Sequence, residues 1–345
     1  MNQKALDLYE SKKFRIAIFG LTLAFIGAIF NIVFQNFNVA GTSLIESGFA
    51  GTLLAGYVLS VLALSLCEFV GGILMMIFNT LRGIPVAEYG RALGVKSSRT
   101  MLLSALVAGP IGTACSVMAI SMCGSTYANC VIGLTPVFTA IFGVILLKEK
   151  AGPRVWIGIV ICVVGMLVAT MAPPEGVTNF YLGIAIAFIA PLAFTAENMI
   201  SVHVVDVVDP EITCPLYRMV GSAIIEFIVV FAVCAVTGNL GWIALVYSLI
   251  FGNPLCILFL FLCGLCMAIQ YNSTYVSYTY CGAIKAAAIL WTGTFWTIPV
   301  GFAMSAMHIL DYSVTSLGII GAVVVVVGIM LVVAKPKELF DLRNN

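Results

Sequence analysis

Charge is what this chain of 345 residues most lacks: 16 Lys and Arg with 15 Asp and Glu make up 9% of it, against 62% hydrophobic residues. A soluble domain carries about a quarter charged residues, so this stock cannot cover a water-facing surface, and a soluble globular class is excluded. Histidine is nearly missing as well, with only His203 and His308. A membrane-embedded enzyme acting on lipid-linked substrates would need an acidic cluster or a His/Asp pair at its surface; "HILD" at 308–311 is no such motif. The eleven cysteines lie mostly in apolar runs and behave as small hydrophobes, and the CxxC of Cys263 and Cys266 has no second pair. Neither a disulfide framework, a metal site nor a cofactor is expected, and a net charge of +1 gives no reason to expect nucleic acid. The alternation of apolar and polar residues that marks a membrane barrel strand is also missing.

What is there is lipid-soluble sequence. Runs of about 20 apolar residues, each enough to cross a bilayer as a helix, recur along the whole length. They predict ten spans at 14–36, 57–79, 101–123, 126–147, 154–172, 181–203, 214–237, 255–277, 285–306 and 313–334. The fold class is therefore all-α integral membrane, multi-pass, with residues 1–13 and 335–345 as terminal segments. The charged start "MNQKALDLYESKKFR" runs into a 23-residue apolar stretch, longer than a signal-peptide core and without a small-residue cleavage site, so the first span is expected to stay. With the N-terminus inside, all 16 Lys and Arg fall on inner segments, Arg82, Arg91, Arg154, Arg218 and Lys285 among them. The outer connections hold only acids such as Glu46, Glu175 and Asp311. Basic residues favour the cytoplasmic side, so both termini are expected in the cytoplasm.

The chain is also written twice. A shift of 158 residues lays Glu68-Phe69 on Glu226-Phe227, Cys123-Gly124 on Cys281-Gly282, Ala128 on Ala286, Thr139 on Thr297 and Gly143 on Gly301. A shift of 163 lays "WIGIVICVVGMLVATMAP" (156–173) on "IIGAVVVVVGIMLVVAKP" (319–336). Each identity alone is cheap; the shared offset is the signal. Five spans is an odd number, so residues 173–334 re-enter from the opposite side and form an inverted repeat of residues 14–172, an arrangement suited to alternating access.

Polar groups at depth are the candidate pathway. Glu68 and Glu226 sit near the centres of their spans, where an ionised acid costs about 2.5–3.5 kcal/mol unless it is protonated, paired or facing water. Small or polar faces at helical spacing turn both inward: Ser65, Glu68, Gly72 on one, Arg218, Ser222, Glu226 on the other. Either they titrate or contact a solute, or they are neutral glue between helices. Asn31 and Gln35 in the first span and Glu197 and Asn198 in the sixth, past Pro191, form a second mirrored set. The fourth and ninth spans carry the breakers Pro136 and Pro299, with Asn129 and Thr139 on one face and Trp296 on the other; Trp291 and Trp296 are too deep for an interfacial belt. Gln270 and Asn272, interleaved with Tyr271, Tyr275 and Tyr278, suit an uncharged or zwitterionic solute. Gly158 and Gly165, and Gly321 and Gly328, give the fifth and tenth spans close-packing faces, at the periphery or in a homodimer.

"TPVFTAIFGVILLKEK", 135–150, resembles the fourth-span signature of the drug/metabolite transporter (DMT) superfamily, in its ten-span EamA-like branch. "LYRMVGSA" opening the seventh span is similar too, and the likeness covers 14–334. It implies a secondary transporter of the cell (inner) membrane whose cavity is formed by spans 1, 3, 4, 6, 8 and 9, with 5 and 10 peripheral. It implies metabolite cargo such as amino acids, often moved outward, and a structural role for Glu149. The ninth span departs from the pattern, with Met307 at the place of that acid, and the first reads "FIGAIFN" where Trp-Gly is usual. The expected function is an exporter or exchanger for a small organic metabolite, with proton coupling through Glu68, Glu226 or Glu197 as an option. An enzyme or a passive channel or sensor is the alternative.

Overall fold

The computed structural model describes the chain except residues 1–2, 50–51, 147–151, 175–178, 206–208, 282–285, 287–288 and 334–345. Glu149, Glu175 and Lys285 thus lie outside the described residues. The described part is helical and contains no strand. In chain order the helices are α1 (Gln3–Glu46), α2 (Leu53–Leu81), α3 (Val86–Gly94), α4 (Met101–Cys123), α5 (Ser125–Phe142), α6 (Pro153–Thr170) and α7 (Phe180–Ser201). There follow α8 (Pro210–Val236), α9 (Gly241–Gly252), α10 (Pro254–Cys281), α11 (Gly293–Ala306) and α12 (Ser316–Val333).

Eight of these are long and apolar enough to cross a membrane: α1, α2, α4, α5, α6, α7, α8 and α10. Their outward faces are apolar, with Phe14, Phe19, Ile77, Ile157, Val160, Ile228 and Phe231 all exposed, as a lipid solvent requires. The protein is a multi-pass integral membrane protein. Two short helices lie where the sequence promised only loops. In α3 Tyr89 and Ala92 turn inward, and the Tyr217 hydroxyl donates to the Ala92 carbonyl at 2.9 Å. The helix α9 is apolar but only 12 residues long, about 18 Å, too short to cross.

Packing follows the small residues. α1 lies along α10, and α6 along α12. In the second pair a Cβ on Gly158 would fall 2.9 Å from the Gly328 carbonyl, and one on Gly321 would fall 2.4 Å from the Ala169 nitrogen. The glycine faces assigned to a periphery or a dimer are therefore filled within one chain, by each other. α4 packs on α7 and α8, α2 on α8 and α10, and α11 on α1, α5 and α12.

Two stretches are π-helical, Ala108–Thr113 in α4 and Cys214–Gly221 in α8. Each contains a proline, Pro110 and Pro215, which cannot donate to the ladder. The widened turn frees carbonyls, and side chains take them up: Tyr57 donates to Pro110 O at 2.9 Å and Thr113 to Ala108 O at 3.0 Å. Such single-turn bulges gather at functional sites, and these two meet at one.

Candidate functional site

Arg218 is at the meeting point. Counted by sequence as a basic residue at the inner end of the seventh span, it is completely buried. The reason is where the helix begins: α8 starts at Pro210, not at 214, so Arg218 sits about 12 Å inside it at 1.5 Å per residue. The π turn aims it at α2 and α7. Its Nη1 donates to Glu68 Oε1 at 2.9 Å and its Nε to Glu197 Oε1 at 2.6 Å. Its Nη2 reaches the Tyr271 hydroxyl and, at 3.5 Å, Thr113 Oγ1, while the guanidinium carbon stands 4.4 Å from the Tyr271 ring centre. Each of its side-chain nitrogens is thus committed.

The carboxyl groups are not so well provided for. Glu197 Oε1 also accepts from the Tyr275 hydroxyl at 3.3 Å, and that hydroxyl continues to Ser201 and Ser104 at 3.4 and 3.0 Å. Glu68 Oε2 and both oxygens of Glu226 are buried without a hydrogen-bond partner of good geometry among the described residues. Glu226 is close enough to Glu68 and Arg218 to feel both charges. It packs on the π turn of α4: a Cβ on Gly109 would fall 2.1 Å from Ser222 Oγ and 2.7 Å from Glu226 Oε1, so glycine is what lets the acid lie there. Three carboxyl groups thus gather about one guanidinium, which pairs with two of them. An uncompensated buried charge costs several kcal/mol, so this cluster is sensitive to any further positive charge brought to it.

Glu197 opens the cluster to a small cavity, with about 50 Å³ of room for the centres of water-sized molecules. α1 supplies Asn31, Phe34 and Gln35 to the wall; α7 supplies Phe194, Glu197 and Asn198; α10 supplies Gln270, Tyr271, Thr274, Tyr275 and Tyr278; Thr113, Leu290 and Trp291 complete it. Gln35 accepts from Asn129 Nδ2 at 3.0 Å, and Gln270 Nε2 donates to Thr274 at 3.3 Å. Gln270 Oε1 and Trp291 Nε1 are buried without partners among the described residues.

Of the residues singled out in the sequence, Asn31, Gln35, Glu197, Asn198, Gln270 and Trp291 come together on this wall. Glu68 lies two ion pairs behind it, through Glu197 and Arg218, and Asn129 one hydrogen bond behind it. Glu226 is deeper, beyond Arg218. Five stand elsewhere. Thr139 reaches Thr195 at 3.3 Å and ties α5 to α7. Asn272 is half-buried on α10, off the wall. Trp296 packs edge-on against Phe25, with ring centres 5.1 Å apart. Pro136 follows a two-residue break at Gly133–Leu134 that opens a new helical segment, Thr135–Leu146. There its missing N–H costs nothing. Pro299 sits inside α11 with an exposed ring. Sequence reasoning missed Phe34, Thr113 and Phe194, apolar or small residues with no signal of their own, and missed Arg218 as the partner of the acids. For Arg218 the signal was present in the 218, 222, 226 stripe.

The EamA-like transporter family matches residues 16–171 of the chain. No curated protein matches the sequence. A solved crystal structure aligns over 88% of this chain and 95% of its own, at 15% identity and a TM-score of 0.45, too slight a likeness to bear on fold or function.

Proposed function

From the membership of residues 16–171 in the EamA-like transporter family, part of the DMT superfamily, we propose that the protein is a secondary transporter. It moves a small organic metabolite across the cell membrane by alternating access, outward or in exchange. The observation that carries this reading is the cavity of amides and aromatic rings that opens directly onto a buried ion cluster. Organic-solute sites are of this kind: mostly apolar walls with a few convergent polar groups.

The architecture proposed with it has ten spans, α11 and α12 being the ninth and tenth, in two inverted halves, 14–172 and 173–334, with both termini cytoplasmic. The packing supports it. α1 lies along α10 as α7 lies along α4; α2 touches α10 as α8 touches α4; α1 meets α11 as α7 meets α5. Exchanging the halves maps each of these pairs onto its mate. The pairs α2–α8, α5–α11 and α6–α12 map onto themselves, and Glu68 and Glu226 then face each other across the pseudo-twofold. Two halves related this way have two near-equivalent packings, one open to each side.

Proton coupling belongs to this proposal as well. Glu226, which makes no ion pair among the described residues, is the acid whose charge has least compensation. A proton there, or on Glu68 or Glu197, changes the charge of the cluster that the cavity faces. In proteoliposomes, flux of a bound solute responds to an imposed pH gradient and loses that response in Glu68→Gln, Glu197→Gln or Glu226→Gln. A response unchanged in all three removes the coupling and leaves transport. A solute that binds the cavity yet is never moved removes transport itself.

A further inference from the structure

The cavity's charge is one-sided. Among the described residues, Glu197 is the one carboxylate on its wall, and no Lys, Arg or His lines it. The nearest cation among the described residues, Arg218, is fully buried behind the Tyr271 ring and gives its nitrogens to Glu68, Glu197, Thr113 and Tyr271. Among the described residues, an anionic group entering the cavity finds no free cation, and the carboxylate of an amino acid shares that lack. A cation finds the reverse: an acid on the wall, two more behind it, and one guanidinium among the three.

The rest of the wall suits an ammonium ion on a flat body. Phe34, Phe194, Tyr271, Tyr275, Tyr278 and Trp291 present ring faces and edges, and a cation over such faces is attracted by their quadrupoles. Two residues of the wall carry a buried polar atom without a partner among the described residues: Gln270 Oε1, which accepts, and Trp291 Nε1, which donates. A buried polar atom left unpaired costs free energy, so both point to a ligand with a donor for one and an acceptor for the other. Resting on the transporter reading above, we propose that the cargo of this cavity is an organic amine: an ammonium group held at Glu197 and Gln270, and a flat, largely apolar body carrying at least one hydrogen-bond acceptor toward Trp291. Neither anions nor zwitterions are its natural occupants.

The test uses four probes that share one ring and differ in charge: tyramine, its alcohol analogue 2-(4-hydroxyphenyl)ethanol, its acid analogue 3-(4-hydroxyphenyl)propionate, and tyrosine. Binding to the purified full-length protein is read by saturable thermal stabilisation and by the change in tryptophan fluorescence. Tyramine is expected to bind at least tenfold more tightly than each of the others, and Glu197→Gln to reduce its affinity at least tenfold while Glu197→Asp retains it. Equal or tighter binding of the alcohol, acid or zwitterion overturns the inference, as does no saturable binding of tyramine. The ranking on the wild-type chain decides it even where the glutamine variant does not fold. The transporter reading fails separately, if no bound probe of any charge is carried across a proteoliposome membrane.

Discussion

At the scale of single residues, the ion cluster is held by what surrounds it rather than by its own attraction. Moving Arg218, Glu68 and Glu197 out of water costs more than one ion pair returns, and the remainder comes from the hydrogen bonds of Thr113, Tyr271 and Tyr275. Taking away the shared cation is accordingly severe. Arg218→Met should cost about 3–5 kcal/mol, the usual range for breaking a buried pair by removing one partner. Adding Glu68→Gln to it should recover part of the loss, because one of the stranded acids becomes neutral. Unfolding of the purified variants in detergent measures both. Gly109 offers a gentler probe. Its Cβ would press on Ser222 and Glu226, so Gly109→Ala displaces the acid without changing any titratable group. It is expected to blunt the pH response of flux at a stability cost of about 1–3 kcal/mol, the range for overpacking; a normal pH response would show that the position of Glu226 does not matter to coupling. The acids of this cluster were legible in the sequence because each stands alone in an apolar run, where its cost has to be explained. The stripe that Arg218 shares with Glu226 was legible as well; the depth of Arg218 was not, because a basic residue near a span end is the commonest thing in a membrane protein and its depth hangs on where α8 begins.

At the scale of helices, what was legible was apolar length, and what was not was local departure from the α-helical ladder. The runs that became α1, α2, α4, α6, α8 and α10 are continuous and long. The short helices α3 and α9 are too brief to register as spans, and the π turns at Ala108–Thr113 and Cys214–Gly221 leave no mark beyond a proline. Yet those turns direct Gly109, Thr113 and Arg218 to one point, so the least legible elements shape the site most. The pairing of α6 with α12 makes the opposite case. Its glycines were plain in the sequence, and their partner proved to be the other half of the same chain. With backbone atoms of the two helices in contact range of a Cβ at 321, Gly321→Val should push them apart, at a cost of about 1–3 kcal/mol. Because this pair is remote from the cavity wall, the affinity of a cavity ligand should change little. A melting curve with and without ligand separates the two effects, and a variant as stable as the wild type would mean that the helices separate without loss.

At the scale of the whole molecule, α11 and α12 decide the span count, because they alone divide ten spans from eight. Both numbers are even and keep the termini on one side, so locating the ends decides orientation but not the count. The turn between α11 and α12 does decide it. If both cross, Asp311 lies on the side opposite Arg91; if neither does, the chain stays on the side it reached after α10, and the two residues share a compartment. The packing of α12 against α6, and of α11 against α1 and α5, places their apolar surfaces, Phe302, Ile320 and Val327 among them, on the outside of the bundle, where only lipid offsets the cost of exposure. Asp311→Cys is therefore expected to react with a membrane-impermeant maleimide added to intact cells, and Arg91→Cys only after permeabilisation, with the wild-type chain giving the background of its native cysteines. Labelling of both positions from the same side would leave α11 and α12 out of the membrane. The second half would then lack two of its five spans, and the inverted pairing on which alternating access rests would go with them.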